Sequence, residues 1–372
     1  MINDFVLHDL PPRLNDRVDL NILLSHAASI DASDVFLMSG YPIKASRHSK
    51  FINLSTPNRS ISESEVINIL KDFYGINAQA KLGDGSPIDT SHDFICPNTQ
   101  ERLRFRVNAS SCQRDGRQGY TVTFRSIPTT PPLPLNVPEE IINTCKGSVQ
   151  GLILVVGATG NGKSTLLASI LRDILEENDA NQNLITLESP IEFVYDEVRM
   201  PSSFVTQMEV GRHIKDFPSG VRNTLRMAPK SILVGESRDY ETISSAVEAS
   251  VTGHTVYSTV HANSVSETIM RMVSVYPQEL QGQALEDILS ALKMIVAQRL
   301  LPKVGGGRVA LREYLVFDNN IKDEIRNTKD IVGTINNIVK RNKTSMYDSA
   351  MSLYNSNLIE ESSLNIVKSN YE

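Results

Sequence analysis

Gly151-Leu-Ile-Leu-Val-Val-Gly157-Ala-Thr159-Gly160-Asn161-Gly162-Lys163-Ser164-Thr165 is the stretch from which the rest of this chain is read. Five apolar residues, Leu152 to Val156, are too few for a helix and β-rich enough for a buried strand. They run into Gly157-x-x-x-x-Gly162-Lys163-Ser164, and Leu166, Leu167, Ile170, Leu171 and Ile174 follow at helical spacing. Strand, glycine loop and helix in this order form a phosphate-cradling P-loop. Gly157, Gly160 and Gly162 let the backbone aim N–H groups inward, with Thr159 and Asn161 between them, and the helix N-terminus adds partial positive charge. Lys163 is expected to neutralise β- and γ-phosphates, Ser164 to hold Mg²⁺ and Thr165 to line the site. ATP with Mg²⁺ is the expected ligand.

At 372 residues the chain is long enough for two domains. No apolar run has the length of a membrane span. The N-terminal stretch MINDFVLHDLPPRL has neither a basic start nor an apolar core, so a signal peptide is not expected. Three scattered cysteines, Cys96, Cys112 and Cys145, suggest no zinc pair and fit reduced thiols in a cytoplasmic setting. A net charge of −6 gives no general nucleic-acid footprint.

Upstream of the loop the pattern is α+β. Leu20, Leu23, Leu24, Ala27 and Ala28 recur helically, Val35 to Met38 read as a strand, and Ser62 with Glu65 forms a capping box ahead of Val66, Ile69, Leu70 and Phe73. From Arg102 to Val107 the chain alternates: Leu103, Phe105 and Val107 face one way, Arg102, Arg104 and Arg106 the other. Tyr120, Val122 and Phe124 alternate again with Arg125 outward, and Asp115-Gly116 marks the turn between the runs. That arginine face reads either as a solvated sheet surface or as one facing an anion. Five prolines in residues 127–138 mark a semi-rigid linker. The expected division is 1–127 as a small N-terminal domain, 128–146 as linker and lead-in helix, 147–330 as the nucleotide-binding domain, and 331–372 as a C-terminal helical segment. Ile331, Ile335, Ile338, Met346, Met351 and Leu358 give that last segment its apolar positions, for core packing or for a peripheral cap or partner surface.

Beyond the loop, short apolar strands end in Glu188-Ser-Pro-Ile-Glu192, in Gly235-Glu236 and in His261. Alternating strands and helices imply a largely parallel sheet, whose ligands sit beyond the carboxyl ends of its strands. Glu236 is placed to support Mg²⁺, Glu188 to polarise the attacking water with Glu192 behind it, and His261 to sense the γ-phosphate. Arg238 and Asp239 read as a structural pair or a switch.

These strings together resemble the secretion ATPase superfamily, in its PilT-like branch. ITLESPIEF is similar to the Asp box, SILVGESRDYETISSAVEASVTGH to Walker B, and HTVYSTVHANS, with His254 and His261, to the His box. SDVFLMSGYPI, RFRVN, TFRSIP and VGGGRVALREYL extend the likeness over most of the chain. The resemblance implies a RecA-like α/β ATPase domain behind a PAS-like α+β domain. It also implies a cytoplasmic homohexamer acting at inner-membrane components of a secretion or pilus apparatus, and catalytic or nucleotide-facing roles for Arg104, Arg106 and Arg125. The net acidity and the lack of interleaved aromatic and basic residues, for their part, speak against stable nucleic-acid binding. Ser189 stands where the family usually has aspartate, the tetracysteine insertion of type II relatives is absent, and NIKDEIRN only loosely resembles the retraction-associated AIRNLIRE segment. Within the branch, RFRVNASSC, DGRQGYTVTFRSIPTTPP and the ESP box resemble the type IVB secretion and IncI-type conjugation group typified by DotB and TraJ.

Overall fold

The contacts of a computed structural model, which describes residues 5–48 and 50–371, divide the chain into two units. One holds residues up to Thr129 together with Ser189–Val194; the other holds Thr130–Glu188 and residues from Tyr195 onward. The first four residues, Ser49, Glu372 and the side chains of Phe73, Asn370 and Tyr371 lie outside the described residues. Among the described residues no helix is long and apolar enough to cross a membrane.

The first unit contains α1 (Arg17–Ser29), β1 (Asp34–Met38), β2 (Lys44–Arg47), β3 (Lys50–Asn53), α2 (Glu63–Phe73), α3 (Ala78–Gly83), β4 (Ile88–Ile95), β5 (Arg102–Arg114) and β6 (Arg117–Ile127). Its antiparallel sheet has the order β3-β2-β1-β6-β5-β4. Asp115 and Gly116, at φ 48° and 72°, close the β5–β6 hairpin in the left-handed turn that matches strand twist. The capping box of Ser62 and Glu65 starts α2. Leu20, Leu23 and Leu24 of α1 and Val66, Ile69 and Leu70 of α2 pack on Phe105, Val107, Val122 and Phe124, so the alternation in the strands is what builds this core.

Arg104 departs from the alternation: it is only 3 % exposed. Its guanidinium donates to the carbonyls of Glu192 at 2.7 Å and Ile191 at 2.8 Å. Those residues belong to the segment 189–194, which the sequence reading leaves inside the nucleotide-binding domain. Val194 N–H, on the same segment, donates to Thr129 O at 2.9 Å. A segment distant in sequence therefore covers one member of the arginine row.

The second unit contains α4 (Glu139–Gly147), β7 (Gly151–Val156), α5 (Lys163–Leu175), β8 (Asn183–Glu188), β9 (Phe204–Glu209), α6 (Phe217–Thr224), β10 (Ser231–Val234), α7 (Tyr240–Val251), β11 (Thr255–Val260), α8 (Val265–Val273) and α9 (Gln281–Ala291). After these come β12 (Leu292–Pro302), β13 (Arg308–Val316), α10 (Asn319–Arg326), α11 (Ile331–Asn342), α12 (Met346–Asn355) and α13 (Glu361–Tyr371). The sheet order is β13-β12-β7-β11-β10-β8-β9, parallel throughout except for β13.

β7 is buried on both faces, which explains its unbroken apolar run. Ile153 and Val155 pack with Leu166, Leu167 and Ile170 of α5, whereas Leu152, Leu154 and Val156 pack with Ile243, Ala246 and Val265 of α7 and α8. Ile335, Ile338 and Val339 of α11, Met346 and Ala350 of α12 and Val367 of α13 join that second cluster. The C-terminal segment is thus core packing. The strands β9, β12 and β13 are absent from the sequence reading, because polar residues such as Gln207, Gln298 and Arg312 interrupt their apolar pattern. The linker is tied down from residue 130: Thr130 Oγ1 donates to Glu197, Arg172 to Pro131 O, and Arg312 to Asn136 O.

Candidate nucleotide site

The loop between β7 and α5 has the backbone of an anion cradle. Gly157, Gly160 and Gly162 sit at φ 150°, 81° and 72°. At Gly157 a Cβ would lie 2.4 Å from Gln298 O, so only glycine fits against β12. Gly162 precedes the first residue of α5, putting that helix's unsatisfied N–H groups at the loop. The buried Lys163 folds back, its Nζ donating to Gly157 O at 2.9 Å and Ala158 O at 3.2 Å. Ser164 is half-buried and Thr165 exposed in the first helical turn, while Thr159 is exposed in the loop. Each residue type therefore suits the phosphate chemistry expected of it.

Residues that no motif announced hold the loop in shape. Gln298 Nε2 donates to Asn161 O at 2.7 Å and Gly162 O at 3.0 Å. Arg312 Nε donates to Gln298 Oε1 at 2.8 Å and Arg312 Nη1 to Asn136 O at 2.5 Å. Burial pulls the Arg312 guanidinium down to about 10. Leu300 N–H donates to Asn161 Oδ1; the exposed Arg308 reaches Gly160 O only at 3.3 Å and adds little to this support. The available signal was a glutamine directly after the apolar run Met294–Ala297, since a buried polar side chain in a strand needs a partner.

The tips of β8, β10 and β11 meet beside this loop. Gly235 N–H donates to Leu187 O at 2.8 Å, Thr259 Oγ1 to Gly235 O at 2.7 Å, and Ser237 N–H to Thr259 O at 2.9 Å. These bonds bring Glu188, Glu236 and His261 to one end of the sheet. Glu236 Oε2 lies 2.6 Å from Arg238 Nε and 3.7 Å from His261 Nε2. The His261 imidazole is held below its ordinary range by burial first, then by the cations of Lys163 and Arg238, with Glu236 pulling the other way. Glu188 is buried, and its Oε1 accepts from Thr186 Oγ1 at 2.6 Å and Gln207 Nε2 at 3.3 Å. The Ser164 hydroxyl and the Glu236 carboxylate are hard oxygen donors suited to Mg²⁺. Among the described residues no cluster of three His, Cys, Asp or Glu side chains could hold a metal by itself.

Arg238 and Asp239 do not pair: Arg238 holds Glu236, and Asp239 caps α7 by accepting from Thr242 N–H. His254 precedes β11 and lies against Ala249 O, whereas His261 follows that strand. At about 3.3 Å per residue the two histidines are about 20 Å apart, so His254 stands at the opposite end of the sheet. In the first unit, Arg106 pairs with Asp89 at 2.6 Å and Arg125 with Asp34 at 2.7 Å. Arg106 and Arg125 are cross-strand neighbours, so these aspartates offset the repulsion between them. Glu192 belongs to the first unit, where its carbonyl accepts from Arg104.

The family described as type II/IV secretion system protein matches residues 138–306. The type IV pilus retraction ATPase PilT of Pseudomonas aeruginosa is 35 % identical over 318 residues, covering 84 % of this chain and 86 % of PilT. This chain belongs to the type II/IV secretion ATPase family. Among solved structures, the Legionella pneumophila ATPase DotB is 38 % identical, with a TM-score of 0.90 and 99 % of each chain covered. The pilus retraction motor PilT with bound ADP is 31 % identical, with a TM-score of 0.79 over 94 % of this chain and 96 % of that one. For this secretion ATPase the fold is accordingly a RecA-like P-loop domain preceded by a smaller, PAS-like α+β domain.

Proposed function

We propose that this secretion ATPase hydrolyses ATP as the motor subunit of a homohexamer, energising type IVB secretion or a related conjugative transfer apparatus. The observation that carries the reading is the convergence of Glu188, Glu236 and His261 on the sheet end that bears the glycine loop. Likeness to DotB along 99 % of both chains directs it to type IVB systems. The ring works in the cytoplasm against inner-membrane components, and its acidic charge gives it no stable hold on nucleic acid.

In this mechanism the loop N–H groups and Lys163 bind the triphosphate, Lys163 leaving the Gly157 and Ala158 carbonyls for phosphate oxygens. Ser164 and Glu236 would hold Mg²⁺, which would supply positive charge against the phosphates. Glu188 orients the attacking water, whereas Glu192, which the sequence reading set behind it, belongs to the first unit. His261, neutral near pH 7, donates or accepts a hydrogen bond at the γ-phosphate. Thr159, Asn161 and Thr165 line the phosphate site. Of the arginine row, Arg106 and Arg125 are the members that can lend charge to a nucleotide held by an adjacent subunit, since Arg104 is buried and engaged with the carbonyls of Ile191 and Glu192.

A second reading, pilus retraction, is favoured by the 35 % identity to PilT. Phosphate release and native size, measured with and without ATP for the wild type and Lys163→Ala, test the motor itself. Steady turnover and a ring-sized species are expected for the wild type, and turnover at background for the variant. A wild type that binds ATP but releases phosphate only at background would leave a nucleotide-gated docking platform instead. Which apparatus is served is read by whether deletion of the gene blocks substrate export or pilus shortening.

A further inference from the structure

The loop that cradles phosphate has a neighbour with no assigned role, the hairpin between β12 and β13. Residues Gly305, Gly306 and Gly307 follow one another at φ 83°, 104° and 79°, and beyond their immediate chain neighbours no atom lies within 4 Å of where their side chains would start. Lys303 N–H donates to Gly307 O and Gly306 N–H to Lys303 O, so the glycines form a narrow turn. Val304 N–H donates to Leu358 O at 3.0 Å, which anchors the turn to the chain between α12 and α13. The residue that emerges from it is Arg308, first in β13 and exposed.

Arg308 Nη1 donates to Gly160 O in the cradle at 3.3 Å. Among the described residues no carboxylate forms an ion pair with it, whereas Arg312, four positions on, is buried and engaged with Gln298. A neutral carbonyl at 3.3 Å is a long, weak acceptor for a guanidinium. Phosphate oxygens bind the same group through shorter, charge-assisted bonds about twice as strong, and a guanidinium can use two of its N–H groups at once. An anion lodged in the loop therefore outbids the Gly160 carbonyl, and an exposed side chain on a glycine turn has freedom to follow it.

We propose that Arg308 is a nucleotide-binding residue: it leaves Gly160 O and grips a phosphate oxygen of the nucleotide held by the loop, from within the same subunit. The proposal rests on the loop being a nucleotide site, and it is separable from that reading by experiment.

Dissociation constants for ATP, in a non-hydrolysable form, and for ADP are measured for the wild type, Arg308→Ala, Arg308→Lys and Lys163→Ala, together with melting temperatures without nucleotide. Arg308→Ala is expected to weaken both nucleotides by about tenfold or more, the loss of one charge-assisted bond. Arg308→Lys is expected to recover part of this, since it restores charge but not the fork. The nucleotide-free melting temperature should stay at the wild-type value, because a weak exposed bond to one carbonyl contributes little stability. Arg308→Ala affinities within about twofold of the wild type, while Lys163→Ala loses binding, would overturn the proposal and leave the nucleotide site standing. A fall in nucleotide-free melting temperature with unchanged affinity would overturn it too, by showing that Arg308 only braces the loop. A wild type that binds neither nucleotide would instead remove the site itself, and Arg308 with it.

Discussion

At the scale of single residues, the pair Glu236 and His261 has a pH signature with a definite sign. The folded protein resists a proton on His261 that the unfolded chain accepts near pH 6.5. Below that pH the unfolded state binds more protons, so His261 subtracts stability as pH falls; above it the histidine has no effect. Glu236 opposes the depression. Glu236→Gln should therefore lower the midpoint of the imidazole further, as read from its NMR ring resonances against pH. A midpoint that rises would mean that Arg238, released from its 2.6 Å contact, had moved away from the ring. Lys163, Glu236 and His261 were legible as candidates because Lys163 closes a glycine loop and the other two stand within two residues of the end of an apolar strand. Gln298 was not: it supports the loop from 136 and 137 residues away, and no local motif links the two.

At the scale of elements, the alternation of β5 predicted Phe105 and Val107 in the core and missed the burial of Arg104. Period two assigns a residue to a face; it does not say what covers that face. The cover here is Ile191 and Glu192, whose carbonyls accept the Arg104 fork. Arg104→Ala leaves these acceptors without their charged donor, at a cost of roughly 2–4 kcal/mol. Arg125→Ala, on a side chain 67 % exposed, should cost at most about 1 kcal/mol. Thermal melting of the two variants checks the order. Equal, small changes would show that the 189–194 segment holds its place without Arg104. A lowered kcat in Arg104→Ala therefore needs the melting data beside it before it is credited to nucleotide chemistry.

At the scale of the whole molecule, composition and motif order carried the two-unit plan, while the path of the chain between the units was not legible. Apolar periodicity identifies strands and helices, but the exchange of six residues depends on contacts made far along the sequence. The backbone passes from one unit to the other after residues 129, 188 and 194. A protease site introduced at 129–130 and cut in the folded protein should give two pieces that still elute together and separate only in denaturant. The N-terminal piece alone in the native eluate would show that the loan of 189–194 is too weak to hold it.

That loan has a mechanical meaning. Glu188 ends a strand of one unit and Ser189 opens the six residues lent to the other, so one peptide bond ties the carboxylate proposed to orient water to that segment. Any displacement of residues 189–194 reaches Glu188 along the covalent backbone itself, as through a cord, and the position of that carboxylate becomes a gauge of how taut the cord is.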